Sequence, residues 1–345
     1  MKAVVKQARG HGFVDYVDVE EVPPSAGQVK VKVEASGLCG SDLHLYHDTI
    51  NYPIRTPVVL GHEFSGTVVE KGTGVGDEVA IGDRVTGEPT MTKCGKCDYC
   101  RSEHYNMCPD RKVMGYWFDG SFAPFCNVAQ VHHLPAGVSF EAGAMTELLA
   151  CCVHAVLDQA GVCAGDTVAI TGPGPVGLMA AMVAKAAGGT VILCGRSADH
   201  ARLERALTVG VDVTIDSEKE NALERIQDLT NGYGADVVVE CAGTAGAIDA
   251  ALDMVRRRGR YTQMGLPGEK VNVAFEKVAY KELQVTGGLG QRHPAWVRAL
   301  SLMESGAVQL EKLISHELPL SEWHQGFDLM ERQECIKILL RPNES

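Results

Sequence analysis

The first 150 residues alternate between apolar and polar positions in short runs. VKVKVEASG (Val29–Gly37) and EFSGTVVEKG (Glu63–Gly72) repeat every two residues, the period of a strand with one face buried. Runs of this kind, split by Gly and Pro, predict a mainly β body, barrel-like or sandwich-like. Near residue 150 the texture changes. DTVAITG (Asp166–Gly172) reads as a buried strand, and PVGLMAAMVAKAAGG (Pro175–Gly189) behind it as an Ala-rich helix. VILCG (Val191–Gly195), ADVVVECAG (Ala235–Gly243), GRYTQMG (Gly259–Gly265) and LQVTGG (Leu283–Gly288) read as further strands, and HARLERALTVG (His200–Gly210) as a helix. Strands alternating with helices predict an α/β domain built on a doubly wound parallel sheet. From Pro294 the chain turns helical again (PAWVRALSLMESG) and ends in a mixed tail.

Composition sharpens this picture in three places. A chain of 345 residues exceeds what one core usually spans, so two domains are expected. A net charge of −12 disfavours nucleic acid and anionic membrane as partners. No apolar run approaches the ~20 residues that span a bilayer, and MKAVVKQARGHG reads straight into a strand rather than a secretory leader, which predicts a cytoplasmic protein. Of the twelve cysteines, four fall within fifteen residues.

Three groups of residues carry chemistry. TGPGPVG (Thr171–Gly177) sets Gly172, Gly174 and Gly177 between a strand and a helix. The first glycine permits the turn, the second lets a pyrophosphate approach the backbone, and the third lets helix and strand pack closely; Pro175 and Val176 open the helix whose free N–H groups face the phosphates. Cys94, Cys97, Cys100 and Cys108, spaced C-x2-C-x2-C-x7-C in a lobe at about 90–110, offer four thiolates that can close a tetrahedral shell round one structural Zn²⁺. A dispersed set comprises Cys39, Ser41, Asp42 and His44 in GLCGSDLH, His62 and Glu63 in GHEFSG, and Glu147 in MTELL. Cys, His and a carboxylate can hold a catalytic Zn²⁺ with one position left open.

GLCGSDLH, GHEFSG, GDRV (Gly82–Val85), the four-cysteine lobe and GPGPVG, in that order, resemble the zinc-dependent medium-chain dehydrogenase/reductase superfamily, with the best likeness to its polyol (sorbitol-type) and threonine dehydrogenase branch. The resemblance runs nearly the whole chain. It implies a GroES-like β-rich catalytic domain from residues 1–150 and 287–345, with a Rossmann dinucleotide-binding domain at 151–286 between them. It implies two zinc ions per chain and a homodimer or homotetramer. Cys39 and His62 would bind the catalytic zinc. The third ligand would be Glu63, with Glu147 acting through water, or Glu147 directly with Glu63 behind it. Ser41 and His44 match the family's proton-relay positions. The implied reaction is hydride transfer between a small-molecule secondary alcohol, a polyol or sugar alcohol, and a nicotinamide dinucleotide. Threonine or another amino alcohol is the alternative substrate, and a catalytically silent NADPH-binding or structural protein the alternative of another class.

The end of the second strand bears on the cofactor. An NAD site places an acid there for the adenosine ribose. This chain has Gly195, followed by Arg196 and Ser197, with Arg202 in the next helix. A cation and a hydroxyl without a repelling carboxylate favour the 2′-phosphate of NADP over NAD, unless Asp199 turns back to the ribose. Tyr46, Arg55, Tyr116, Trp117, Phe118, Arg292 and His293 are candidates for the substrate pocket, with Trp117 and Phe118 equally readable as core or subunit contact.

Overall fold

A computed structural model describes residues 1–343. The chain divides into two compact units, Met1–Glu147 with the tail from Ile314, and Leu148–Leu313.

The first unit is β-rich. One sheet has β1 (Lys2–Lys6) between β2 (Val14–Asp18) and β4 (Val58–Val59). The larger sheet contains β3 (Val29–Gly37), β5 (Glu63–Lys71), β6 (Arg84–Gly87), β9 (Phe125–Val128), β10 (Val131–His133), β17 (Ile314–Pro319) and β18 (Lys337–Arg341). Its order is β10-β6-β5-β3-β18-β17, with β9 also on β3. The two-residue periods read from the sequence are β3 and β5, and they pair antiparallel over their whole lengths. Their inward faces, with Val31, Val33, Phe64 and Val68, fill one core cluster. A short hairpin, β7 (Thr90–Thr92) with β8 (Lys112–Val113), flanks the cysteine lobe.

The second unit is a six-stranded, wholly parallel sheet: β11 (Thr167–Thr171), β12 (Thr190–Gly195), β13 (Val213–Asp216), β14 (Ala235–Glu240), β15 (Val255–Gln263) and β16 (Gln284–Gly287). The order is β13-β12-β11-β14-β15-β16, so the winding reverses between β11 and β14. That reversal opens a crevice at the carboxyl ends of the strands, where dinucleotides bind in this architecture.

The boundary at residue 287 needs correction. The helix His293–Glu304 and the segment down to Leu313 belong to the sheet-bearing unit, not to the β-rich one. Polar ties hold them there: Arg298 pairs with Asp158, Arg292 Nη2 lies 3.4 Å from the same carboxylate, and Arg205 donates to the Lys312 carbonyl at 3.0 Å. The chain returns to the β-rich unit only with β17, which pairs with β18. The sequence reading also passed over β13 and the helices Ala222–Leu229 and Ala245–Met254.

Candidate active site

Pairing of β3 with β5 assembles the dispersed set. Gly37, the last residue of β3, is the cross-strand partner of Glu63, the first of β5. Cys39 lies two residues beyond one strand end and His62 one residue before the other, so antiparallel pairing brings Cys39, His62 and Glu63 together. Their donor atoms lie within 4.8 Å of one another. Gly37 is required here: a Cβ on it would sit 2.4 Å from Glu63 Oε2.

The surroundings orient these donors. Asp42, in the first turn of the helix Gly40–His47, is fully buried; one oxygen accepts from the Cys39 N–H at 2.9 Å and the other lies 3.7 Å from His62 Nδ1. A carboxylate behind a ligating histidine fixes the ring's orientation and tautomer. Ser41 Oγ is 3.4 Å from the other ring nitrogen, Nε2. The Tyr116 ring packs edge-on to His62, centroids 5.6 Å apart. From the distant end of the chain, β18 delivers Lys337, fully buried, with Nζ 2.5 Å from Glu63 Oε2 and donating to the Leu38 carbonyl at 2.8 Å.

The electrostatics call for a cation. Burial raises Asp42 to about 6 and also raises Glu147. Burial by itself would lower His62, yet the thiol of Cys39 and the acids Asp42 and Glu147 push it up to about 10. Glu63 Oε1, Asp42 Oδ1 and His62 Nδ1 are buried without a hydrogen-bond partner among the described residues, and Glu63 Oε2 meets the Lys337 ammonium. A soft thiolate, an imidazole and a carboxylate in a pocket with excess negative charge fit Zn²⁺, whose ligand bonds of about 2.0–2.3 Å are compatible with that spacing. Asp42 stood in the dispersed set without a role of its own, and Lys337 was not singled out in the sequence. Nothing local marks Lys337, which opens an apolar strand.

The structure leaves other candidates elsewhere. Glu147 is buried and acts electrostatically on His62 but is not one of the three close donors. His44 is exposed and hydrogen-bonds Thr49 Oγ1 at 3.0 Å. Tyr46 stacks among His11, Trp323 and Phe327, and Lys112 covers the Trp117 ring. Phe118 packs on the core cluster that contains Phe64. The Arg55 side chain is exposed, while its backbone N–H donates to the Tyr116 carbonyl at 2.8 Å; Arg292 is committed to Asp158, and His293 is exposed.

The four lobe cysteines also converge within 4.8 Å, none of them in a disulfide. Backbone amides aim at the sulfurs: Cys97 N–H to Cys94 Sγ at 3.3 Å and Cys100 N–H to Cys97 Sγ at 3.4 Å. Amides of Lys96 and Cys97 pull the Cys94 thiol down to about 6, the thiolate character that a metal ligand needs. Four thiol donors with no fifth group fit a closed structural shell.

In the second unit the glycine motif behaves as its spacing predicts. Gly172 has φ +86°, and a Cβ on Gly177 would lie 1.9 Å from the Gly172 carbonyl oxygen, whereas a Cβ on Gly174 would meet nothing within 4 Å. The open side of the turn is where a pyrophosphate would approach the N-terminus of the helix Pro175–Ala186. Beyond β12, the Arg196 side chain is 58% exposed, with Nε 3.7 Å from Asp199. Ser197 donates its hydroxyl to Asp216 at 2.8 Å, and Arg202 Nη1 is 3.3 Å from Asp199. Asp199 itself is buried and accepts from the Arg196 N–H at 3.1 Å.

A parallel sheet with a glycine-rich turn at its winding reversal and a convergent Cys–His–Glu triplet is the arrangement of a metal-dependent, dinucleotide-dependent oxidoreductase. Residues 25–137 match the alcohol dehydrogenase GroES-like domain and residues 175–305 the zinc-binding dehydrogenase domain. The chain is 46% identical to a sorbitol dehydrogenase of Halalkalibacterium halodurans, over 99% of each chain. It is 39% identical to a D-arabitol-phosphate dehydrogenase of Enterococcus avium, over 99% of this chain and 98% of that one. A zinc-binding dehydrogenase from Sinorhizobium meliloti 1021, solved bound to NADP, superposes with a TM-score of 0.89 at 35% identity and 99% coverage of both chains. The chain belongs to the zinc-dependent alcohol dehydrogenases of the medium-chain family, and it is an enzyme. Among the described residues no helix is long and apolar enough to cross a membrane.

Proposed function

We propose that this chain interconverts a secondary alcohol of a polyol or sugar alcohol and its ketone, with NADP preferred over NAD. The observation that carries this reading is the triplet of half-buried Cys39 with buried His62 and Glu63, whose donor atoms converge within 4.8 Å. Zinc bound there supplies Lewis-acid polarisation of the alcohol oxygen, and the dinucleotide supplies the hydride acceptor. The chain's own residues do the rest. Asp42 holds His62 in orientation. Lys337 balances the Glu63 charge. Ser41 Oγ, beside His62, takes the alcohol proton and passes it outward, with exposed His44 on the same helix as its exit. Tyr116, whose hydroxyl burial keeps well above its usual range, stays protonated as a donor. The polyol assignment is supported by the relatives named sorbitol and D-arabitol-phosphate dehydrogenase.

A second zinc in the four-cysteine lobe follows from the donor set. Metal analysis is expected to find two zinc ions per chain. Stripping the lobe with a chelator should expose Cys94 as the thiol alkylated first near neutral pH, since its neighbouring amides favour the thiolate. One zinc per chain, with the lobe thiols alkylated freely before any metal is removed, would contradict a metal-closed lobe. Reduced cysteines throughout support a cytoplasmic location. The edge strand β16, with Val285 exposed, supports a homo-oligomer joined there, which light scattering would check as a mass above 37.0 kDa.

NADP preference rests on Gly195 in place of an acid, on exposed Arg196, and on the NADP-bound relative. Of the three side chains expected at the phosphate, Ser197 is turned to Asp216 and both arginines lie near Asp199, but Arg196 is the far more exposed of the two, so it is assigned most of the discrimination. Following nicotinamide fluorescence, NADPH should bind at least about tenfold more tightly than NADH, one charge-assisted contact's worth. Arg196→Ala should erase most of the difference. A preference for NADH would overturn this assignment and give the ribose to Asp199. Binding of neither would remove the dinucleotide reading.

A further inference from the structure

We infer that Glu240, which lies outside the glycine motif and the zinc site, is a positioning residue for the dinucleotide; the inference rests on the cofactor reading above. Glu240 ends β14 and is fully buried. It stands on the last shared rung of the sheet, paired in register with Thr171 of β11 on one side and Gln263 of β15 on the other. This rung spans the β11/β14 reversal, beneath the crevice where a dinucleotide lies.

Every group that bonds its carboxylate is a donor. Thr171 Oγ1 donates to Oε1 at 3.2 Å, and the N–H of Ala242 donates to Oε1 at 2.8 Å. The N–H of Gly243 is shared between the two oxygens at 3.0 and 3.1 Å, and Gln263 Nε2 donates to Oε2 at 2.5 Å. Gln263 also donates to the Gly265 carbonyl and accepts from the Tyr261 hydroxyl. The Glu240 backbone carbonyl accepts from the N–H groups of Met264 and Gly265, both at 2.8 Å. The amides and the carboxamide NH₂ can only donate, so the cage is built to meet the acceptor oxygens of a carboxyl group. Among the described residues no cation pairs with it.

Glu240 thereby fastens the three turns that leave the sheet at this edge. The first is the pyrophosphate turn after β11, the second follows β14, and the third follows β15. They touch backbone to backbone. A Cβ on Gly172 would lie 2.9 Å from Ala242, one on Gly243 3.0 Å from Leu266, and one on Gly265 2.3 Å from the Gly243 nitrogen. With only the Ala242 methyl and backbone atoms at these contacts, the carboxylate sets the spacing of the turns. A buried polar network of this kind fixes geometry only while every member is satisfied.

The test uses the full-length, zinc-loaded protein and NADPH and NADH as probes. Glu240→Gln keeps the shape but turns an NH₂ toward one of the donors. It should raise the fluorescence Kd for both dinucleotides about tenfold or more. The cofactor KM should rise in parallel, while the alcohol KM and the zinc content stay at wild-type values. Glu240→Asp can still accept from the N–H groups two and three residues on, but it is too short for Thr171 and Gln263, so it should fall between. Thr171→Val, which deletes one donor without changing shape, should weaken binding a few-fold. Should Glu240→Gln not fold, Thr171→Val and Gln263→Leu decide. Variants that melt earlier yet bind both dinucleotides with the wild-type Kd would show a purely structural role and overturn the inference. Failure of the wild-type protein to bind either dinucleotide would overturn the cofactor reading and this inference with it.

Discussion

Replacing Cys39 with alanine should lower kcat/KM by at least about a thousandfold. The expectation follows from what the triplet is for. A Lewis acid on the reacting oxygen is worth several kcal/mol of transition-state stabilisation, and three factors of ten correspond to about 4 kcal/mol. Cys39 is the only sulfur among the three donors, and His62 and Glu63 without it leave too few ligands for a tight site. Metal content should fall by one zinc per chain, while the lobe formed by Cys94, Cys97, Cys100 and Cys108 keeps its own. Dinucleotide binding should be unchanged, because the glycine turn lies in the other unit. His62→Ala should behave alike. A Cys39→Ala protein that turns over at the wild-type rate would end the catalytic-metal reading.

The second large effect concerns stability. Lys337 and Glu63 are both fully buried and form an ion pair at 2.5 Å. Removing one member of such a pair strands the other charge in a low-dielectric interior, at a cost of about 3–5 kcal/mol. Lys337→Met is therefore expected to lower the melting temperature of the metal-free protein by about 10 °C, at roughly 2–4 °C per kcal/mol for a unit of this size. The deficit should be smaller in the zinc-loaded protein, where the metal supplies positive charge beside Glu63. The double variant Lys337→Met with Glu63→Gln should recover much of the loss, since no uncompensated charge remains. Equal melting temperatures for wild type and Lys337→Met without metal would show that the pair contributes nothing to the fold.

These two residues divide what was legible from what was not. Cys39 stands in a short motif whose residue types announce metal chemistry. Lys337 opens an apolar strand, KILLR, and looks like a solvated end until β18 is seen to pair with β3. The same contrast appears at the cofactor site. The spacing of Gly172, Gly174 and Gly177 announced a phosphate turn, and the Cβ positions give Gly172 and Gly177 their reasons within the chain, while Gly174 faces open space. Glu240 lies in ADVVVECAG, where a two-residue or continuous-strand pattern says nothing about an acid caged by amides from three turns.

By itself the sequence determined the two architectures, five of the six strands of the parallel sheet, the spacing of the glycine motif, the four-cysteine lobe and the short motifs that hold Cys39, His62 and Glu63. All of these depend on local periodicity or short spacing, which the chain carries wherever it folds. Tertiary structure decided which carboxylate joins Cys39 and His62, because that depends on the β3/β5 register placing Glu63 opposite Gly37. It moved the domain boundary from 287 to 314, because long-range pairing with Asp158 holds the helix His293–Glu304 to the parallel sheet. It turned Ser197 toward Asp216, a contact that crosses from the end of β12 to the end of β13, and left Arg196 the more exposed of the two arginines near Asp199. Burial and charge pairing are properties of residues distant in the chain, and only the folded arrangement brings them within reach of one another.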